Sequence, residues 1–294
     1  MRIGISGSSG FIASSLIPLL RQRGHQCVAF SRDARRLING CGETRVIANR
    51  SSPNLSALDA IVNLAGESIQ GLWTEAKKNR IRNSRIDLTN SLVAALPGTE
   101  VRVLVSGSAT GFYGNRDNEL LPEDASRGKG FLAHVTTEWE QSATAAEVSG
   151  VRVALARIGF VIAPNGGALD KIRPLFRLGL GGRLGSGRQW MPWVHVDDVC
   201  GVIIHLLERD DLRGAFNVVA PQPSTNIEFT RALADACHRP AFFPVPGFAL
   251  RLALGEFSSL VLDSTRAVPD RTLASGYCFR QSNLSAALRF PTSS

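Results

Sequence analysis

"MRIGISGSSGFIASSLIPLL", Met1 to Leu20, is the stretch on which the fold turns. Arg2 to Ser6 is a short apolar run of strand type, and Ile12, Leu16, Leu19 and Leu20 carry helical spacing. Between them lie Gly7 and Gly10, with Ala13 three residues further on. Gly24 closes the helix, and "QCVAF" (Gln26 to Phe30) reads as a second strand, so a βαβ unit of about thirty residues is expected. In such a unit Gly7 permits the tight turn, Gly10 lets the backbone approach a pyrophosphate, and Ala13 allows close packing of helix on strand. The helix N-terminus then faces the phosphates. Gly7, Ser9, Gly10, Phe11 and Ile12 are the candidate phosphate-binding residues; a plain strand-to-helix turn is the alternative.

The end of the second strand selects the dinucleotide. A carboxylate there accepts hydrogen bonds from the ribose hydroxyls and repels a 2′-phosphate. This chain has Ser31 and Arg32 instead, with Arg35 and Arg36 one helical turn on. A permanently charged planar fork suits a phosphate, so NADP(H) is expected over NAD. Asp33 is read as the N-cap of "ARRLI" rather than a displaced ribose ligand. A solvated basic face is the plainer reading of the same arginines.

The alternation continues. Leu58 to Gly66, Val101 to Ala109 and Val151 to Ile162 read as strands. Helical stretches run from Thr74 to Leu96 and up to about Ser149. Strands alternating with helices predict an α/β fold, a Rossmann-like doubly wound parallel sheet. Ligands lie beyond the strand C-terminal ends of such sheets. That rule gathers Gly7 to Gly10, Ser31, Arg32, Leu64 to Gly66, Ser106 to Tyr113 and Arg157 to Val161 around one crevice. The tail from Phe242 is punctuated by Pro and Gly and reads as short helices. The expected division is a dinucleotide domain over 1–165, to which 191–220 return, and a smaller, mostly helical substrate lobe from 166–190 and 221–294.

Composition sets outer bounds. The 294 residues are 44% hydrophobic, enough for one large core with a modest second lobe. Five scattered cysteines with no C-x-x-C pair suggest neither a disulfide framework nor a metal site. The net charge of +8 comes chiefly from arginines spread along the chain, without the aromatic-interleaved stripe of a nucleic-acid surface. No nucleic-acid or membrane partner is expected, and the chain is read as a cytoplasmic monomer or homodimer acting on a small molecule.

"SGSSGFIA", "VNLAG", "SGSATGFYG" and "WVHVDDV" resemble the extended short-chain dehydrogenase/reductase superfamily. More narrowly, "NLAGES", "SRIDLT", "FLAHVTTEWE", "GGALDKIRPLFRLGLGGRLGSGRQWMPWVHVDD" and "RTLASGYCF" are similar to an atypical branch of epimerase family proteins, and the likeness covers nearly the whole chain. The resemblance implies an NADP-binding Rossmann domain with a C-terminal lobe. It places Ser31 and Arg32 at the adenosine phosphate, and Leu64, Ala65, Arg85 and Val161 along the cofactor.

One departure limits the chemistry. Superfamily members that move hydride use a Tyr and a Lys four residues apart, the cation lowering the phenol pKa from ~10. Here Tyr113 is followed by Asp117, Tyr277 by Gln281, and "FLAHVTTEWE" offers only Leu132 and Thr136. The remaining candidates are Ser108 as orienting hydroxyl and Tyr113 as proton donor, with Thr110 and His134 behind them. Structural roles compete with each: a strand-end turn for Ser108, a crevice cap for Tyr113, a surface position for His134. "GSGRQWMPWVHVDDV" suggests a substrate pocket from Arg188, Trp193 and His195 before a helix opened by Asp197 or Asp198; the tryptophans as core and His195 as a junction residue are the alternative. Two functions follow: an NADP(H)-dependent oxidoreductase or epimerase-like enzyme with a non-standard proton donor, or a non-catalytic NADPH-binding sensor or structural protein.

Overall fold

The computed structural model describes residues 1–32, 40–47, 53–164, 166–167 and 169–289. Asp33, Arg35, Arg36 and the expected "ARRLI" helix lie outside the described residues. The opening stretch folds as its pattern dictates, into β1 (Arg2–Ser6), α1 (Phe11–Gln22) and β2 (Gln26–Ser31). Ala13, Leu16, Ile17 and Leu20 are buried, the single stripe that three- and four-residue spacing places on one helix face. β1 and β2 run parallel, Arg2 opposite Gln26 and Ser6 opposite Phe30.

Next come β3 (Glu43–Val46), β4 (Ala60–Asn63) and α2 (Glu75–Ala94), which begins where the Thr74 hydroxyl accepts from the Lys77 amide. β5 (Val103–Ala109), β6 (Leu120–Leu121), α3 (Phe131–Thr144) and β7 (Arg152–Ile158) follow. The run expected as one strand from Val151 to Ile162 breaks at Gly159. A Cβ on Gly159 would lie 2.2 Å from the Pro192 carbonyl oxygen, so only glycine lets that segment pass. Phe160–Ile162, as β8, then leaves the main sheet.

The chain continues through α4 (Leu169–Arg177), β9 (Trp190–Met191), β10 (Trp193–His195), α5 (Val196–Glu208) and β11 (Gly214–Val218). β8 pairs in parallel with β10, Val161 opposite Val194. The main sheet, in the order β11-β7-β5-β4-β1-β2-β3, is parallel throughout. Its edge strands β3 and β11 go beyond the strands read from the sequence. Strand order reverses between β1 and β4, which makes their C-terminal ends the switch point where a crevice opens.

Both sheet faces are covered. On one, Ile3, Ile5 and Val105 pack with Leu16 and Leu20 of α1 and Val199 and Ile203 of α5. On the other, Phe30, Ile61 and Leu104 meet Leu92 of α2 and Ala143 of α3. Each fully buried Leu or Ile contributes roughly 1.5–3 kcal/mol, so these two layers supply the main stabilising term. The remaining elements are β12 (Ser224–Thr225), α6 (Asn226–Ala236), α7 (Gly247–Leu254), α8 (Ser259–Leu262), β13 (Arg266–Ala267), α9 (Asp270–Ala274) and α10 (Leu284–Ala287). Leu169, Phe176, Trp193, Phe229, Leu233 and Leu288 join α4, α6 and α10 in a further apolar cluster.

Candidate functional site

The cradle at the switch point is built from backbone. Gly7 has φ +69°, and a Cβ there would sit 2.7 Å from the carbonyl carbon and oxygen of Leu64. The Gly10 amide donates to the Gly7 carbonyl at 2.8 Å and closes the turn. α1 therefore starts at Gly10 with no side-chain cap and no acidic residue in its first turn. Its first amides, from Phe11 and Ile12 onward, keep the donors that helix geometry leaves unpaired. Ser9 and Gly10 are exposed beside them.

Neighbouring loops complete the cradle. The Phe11 ring lies under Gly166 and Gly167, and a Cβ on Gly167 would be 3.5 Å from the Val161 carbonyl, so the loop after β8 meets the turn after β1. Gly66 faces Arg85 across the loop after β4, where a Cβ would be 2.9 Å from the guanidinium carbon. Arg85 Nη1 donates to the carbonyls of Glu67 at 3.1 Å and Ile81 at 3.0 Å. Burial pushes the Arg85 guanidinium down to about 10, against the pull of Glu67, and it remains a cation at neutral pH. Its carboxylate neighbour is engaged elsewhere: Lys77 Nζ lies 2.8 Å from Glu67, and together with Arg80 and Arg32 it holds that carboxyl low. Arg32 itself is exposed at the end of β2 and forms no ion pair among the described residues.

A buried polar web fixes these loops. Ser6 Oγ donates to Asn63 Oδ1 at 2.5 Å, and Asn63 Nδ2 donates to Thr89 Oγ1 at 2.8 Å. Trp139 Nε1 donates to the same hydroxyl at 3.1 Å. β1, β4, α2 and α3 are thereby locked in one register beneath the cradle. Asn63, Thr89 and Trp139 escaped the sequence reading because they come from three separate elements, β4, α2 and α3, and meet only in the packed fold. Ser106 lies under the site rather than in it: it is 0% exposed, and its Oγ donates to the Gly107 carbonyl.

Beyond β5 the structure revises the catalytic candidates. Tyr113 is wholly buried, its hydroxyl donating to Asn217 Oδ1 at 2.8 Å and accepting from Arg157 Nη1 at 2.9 Å. Burial raises its pKa, partly opposed by Arg157. The phenol is an acid with no face to offer a substrate, which corrects its reading as proton donor. Ser108 Oγ donates its one proton to Glu140 Oε1 at 2.5 Å, and Glu140 is gripped by Arg157 through Nε and Nη2 at 2.8 and 2.9 Å. Ser108 is thus left as an acceptor, suited to holding a substrate hydroxyl rather than protonating a carbonyl. His134 is exposed on α3 and pairs with Glu138.

The expected pocket residues separate. Trp193 is 1% exposed in the core, with Nε1 on Ser224 Oγ, and His195 is the N-cap of α5, accepting from the Asp197 amide at 3.3 Å. Helix α5 therefore opens at His195 and not at an aspartate. Arg188 is exposed. The half-exposed aromatic of this stretch is Trp190, whose Nε1 donates to Asn118.

A parallel sheet with a glycine cradle at its switch point defines a Rossmann-like protein. The chain belongs to the NAD dependent epimerase/dehydratase family, whose model matches residues 3–219; residues 245–290 match a domain of unknown function, DUF1731. It is 38% identical over 292 residues to epimerase family protein Mb2239 of Mycobacterium bovis, covering 99% of this chain and 97% of that one. Epimerase family protein SDR39U1 of Mus musculus is 36% identical over 299 residues, covering 98% and 99%. The crystal structure of human SDR39U1 (isoform 2) with NADPH superposes with a TM-score of 0.88 at 32% identity over 98% of both chains. No described helix is long and apolar enough to cross a membrane.

Proposed function

We propose that the protein is an NADP(H)-dependent, epimerase-like oxidoreductase acting on a small carbonyl, alcohol or sugar-nucleotide substrate without a Tyr-x-x-x-Lys pair. The observation that carries the reading is the Gly7–Gly10 turn pressed against Leu64, with the uncapped start of α1 beside it. The amides of Phe11 and Ile12 would hold the pyrophosphate, and Ser31 and Arg32 the 2′-phosphate. Leu64, Ala65, Gly66 and Val161 would line the cofactor, and Arg85 would meet a ribose or phosphate oxygen. Bound NADPH supplies hydride at its nicotinamide ring. Ser108, oriented by Glu140, would accept a hydrogen bond from a substrate hydroxyl. The NADPH in the human SDR39U1 crystal structure supports the cofactor choice.

Calorimetry tests the cofactor end. NADPH is expected to bind more tightly than NADH, and Arg32→Ala to lose roughly 1.5–3 kcal/mol for NADPH alone. Ser31→Asp shifts preference towards NADH by repelling the 2′-phosphate. Equal affinities for the two cofactors would refute the assignment. A second reading, an NADPH sensor without turnover, is favoured by the burial of Tyr113 and the commitment of the Ser108 proton. Nicotinamide absorbance followed against a panel of carbonyl and sugar-nucleotide compounds separates the two.

A further inference from the structure

Helix α7 reads "GFALRLAL", and none of its residues is buried. A helix that is apolar on nearly every side belongs in an interior, because leaving it in water forfeits the hydrophobic gain. Phe248 and Leu252, four residues apart and so on one face, are 73% and 87% exposed. The apolar surface continues past the helix. Phe243 N donates to the Gly181 carbonyl at 3.3 Å, Val245 N to the Arg183 carbonyl at 2.9 Å, and Gly185 N to the Val245 carbonyl at 2.8 Å, so the segment before α7 lies along the one after α4. A Cβ on Gly247 would be 3.8 Å from Gly185 Cα, which starts α7 on the same seam. Leu178 and Leu180 thereby come beside Phe242 and Phe243, and all four are exposed by more than half.

The size of this face says what could cover it. Its phenylalanines alone present about 300–500 Å², at ~150–250 Å² for a whole side chain. The leucines bring it near the ~800 Å² that each partner buries in a standard protein interface. The largest apolar patch on a typical monomer is only about 300–600 Å². The helices flanking the main sheet offer nothing comparable: Asn79, Arg80, Asn83, Asp87 and Asn90 are the residues α2 exposes.

The edge of the face carries both signs of charge. Burial raises the Asp263 carboxyl after α8, and nearby Arg251 partly opposes that rise, yet neither group makes an ion pair among the described residues. A surface that meets its own copy across a two-fold axis needs such a mixed edge, since one of a single sign repels itself. We propose that this face is the contact between two copies of the chain in an isologous dimer, with Phe248 and Leu252 of α7 at its centre. Residues 245–290, the domain of unknown function, would then supply the self-association surface. The proposal does not depend on the enzymatic reading.

Analytical ultracentrifugation of the full chain tests it. Wild type is expected to sediment as a dimer at low micromolar concentration. Phe248→Ser combined with Leu252→Ser removes four apolar side chains from the dimer and should raise its dissociation constant about a hundredfold or more, with the far-UV circular dichroism of the folded chain retained. Phe242→Ser, off the helix, should weaken it in the same direction and replaces the double variant if α7 unwinds. Asp87→Lys on α2 should leave association unchanged. Added salt should not weaken the dimer, because its centre is apolar and its edge charges are screened. A monomeric wild type, or a double variant and Phe242→Ser that both dimerise as wild type does, overturns the proposal. So does a dimer broken by Asp87→Lys, which would place the contact on α2. Monomeric wild type that sediments with phosphatidylglycerol vesicles in a salt-sensitive manner, where the double variant does not, would assign the face to a lipid surface instead.

Discussion

Arg157 and Glu140 face each other with side chains only 6% and 10% exposed, and Ser108 and Tyr113 both depend on them. Breaking a buried pair leaves an uncompensated charge and is more damaging than never having had one. Glu140→Gln should therefore lower stability by about 3–5 kcal/mol, measured by urea denaturation. Glu140→Leu combined with Arg157→Met should lose less than the sum of the single changes, because each removes the other's stranded partner. Additive losses would show that the two groups act independently. The sequence held half of this signal: Arg157, near the end of the apolar "VRVALARIG", needs buried acceptors, and a carboxylate is the strongest of them. Which carboxylate supplies it depends on the packing of α3 over β7, and spacing does not encode that. The same gap separates Trp193 from Trp190, three residues apart, one in the core and the other half-exposed.

Elements whose causes are local were legible. β1, the Gly7–Gly10 turn, α1 and β2 follow from small residues at the turn and helical spacing after it, and α2 from Thr74 and its long polar helix. Elements whose causes are distant were not. Val151 to Ile162 reads as one strand, but Gly159 must pass the Pro192 carbonyl, a contact set by a residue far along the chain. Phe160 N donates to that carbonyl at 2.6 Å, and the next residues carry Val161 to the cradle. Gly159→Ala forces Pro192 away. The expected outcome is a loss of about 1–3 kcal/mol in urea denaturation from overpacking, together with weaker NADPH binding in calorimetry. Loss of stability with unchanged NADPH affinity would mean that β8 does not position the cradle. Edge strands β3 and β11 were missed for a simpler reason: Glu43 and Arg45 in "ETRV" and Asn217 in "GAFNV" break the apolar run that marks β1 and β4.

At the scale of the whole molecule, the C-terminal segment is tied to the Rossmann-like core by buried acids. Glu123 accepts from the Asn217, Arg271 and Thr272 amides, joining β11 to the start of α9. Asp198 is 0% exposed at the start of α5; its Oδ1 accepts from the Tyr277 hydroxyl at 3.0 Å and the Arg280 amide at 2.8 Å, and its Oδ2 from the Gln281 amide at 2.9 Å. All three partners are donors. An ionised carboxylate can accept from each, whereas an amide must turn an NH2 towards at least one of them. Asp198→Asn is nearly isosteric, so its effect reports hydrogen bonding rather than volume. It should lower stability by about 1–3 kcal/mol, the penalty for a buried donor left facing a donor. Because the bonds lost are those of residues 277 to 281, the loosening should be local, and trypsin should cut after Arg280 faster than in wild type under native conditions. Mass spectrometry of a timed digest reads that rate directly. A digest in which all sites accelerate together would show that Asp198 stabilises the molecule globally; unchanged cleavage at Arg280 would show that the tail is held by its apolar contacts, Tyr277 among them, and not by the carboxylate.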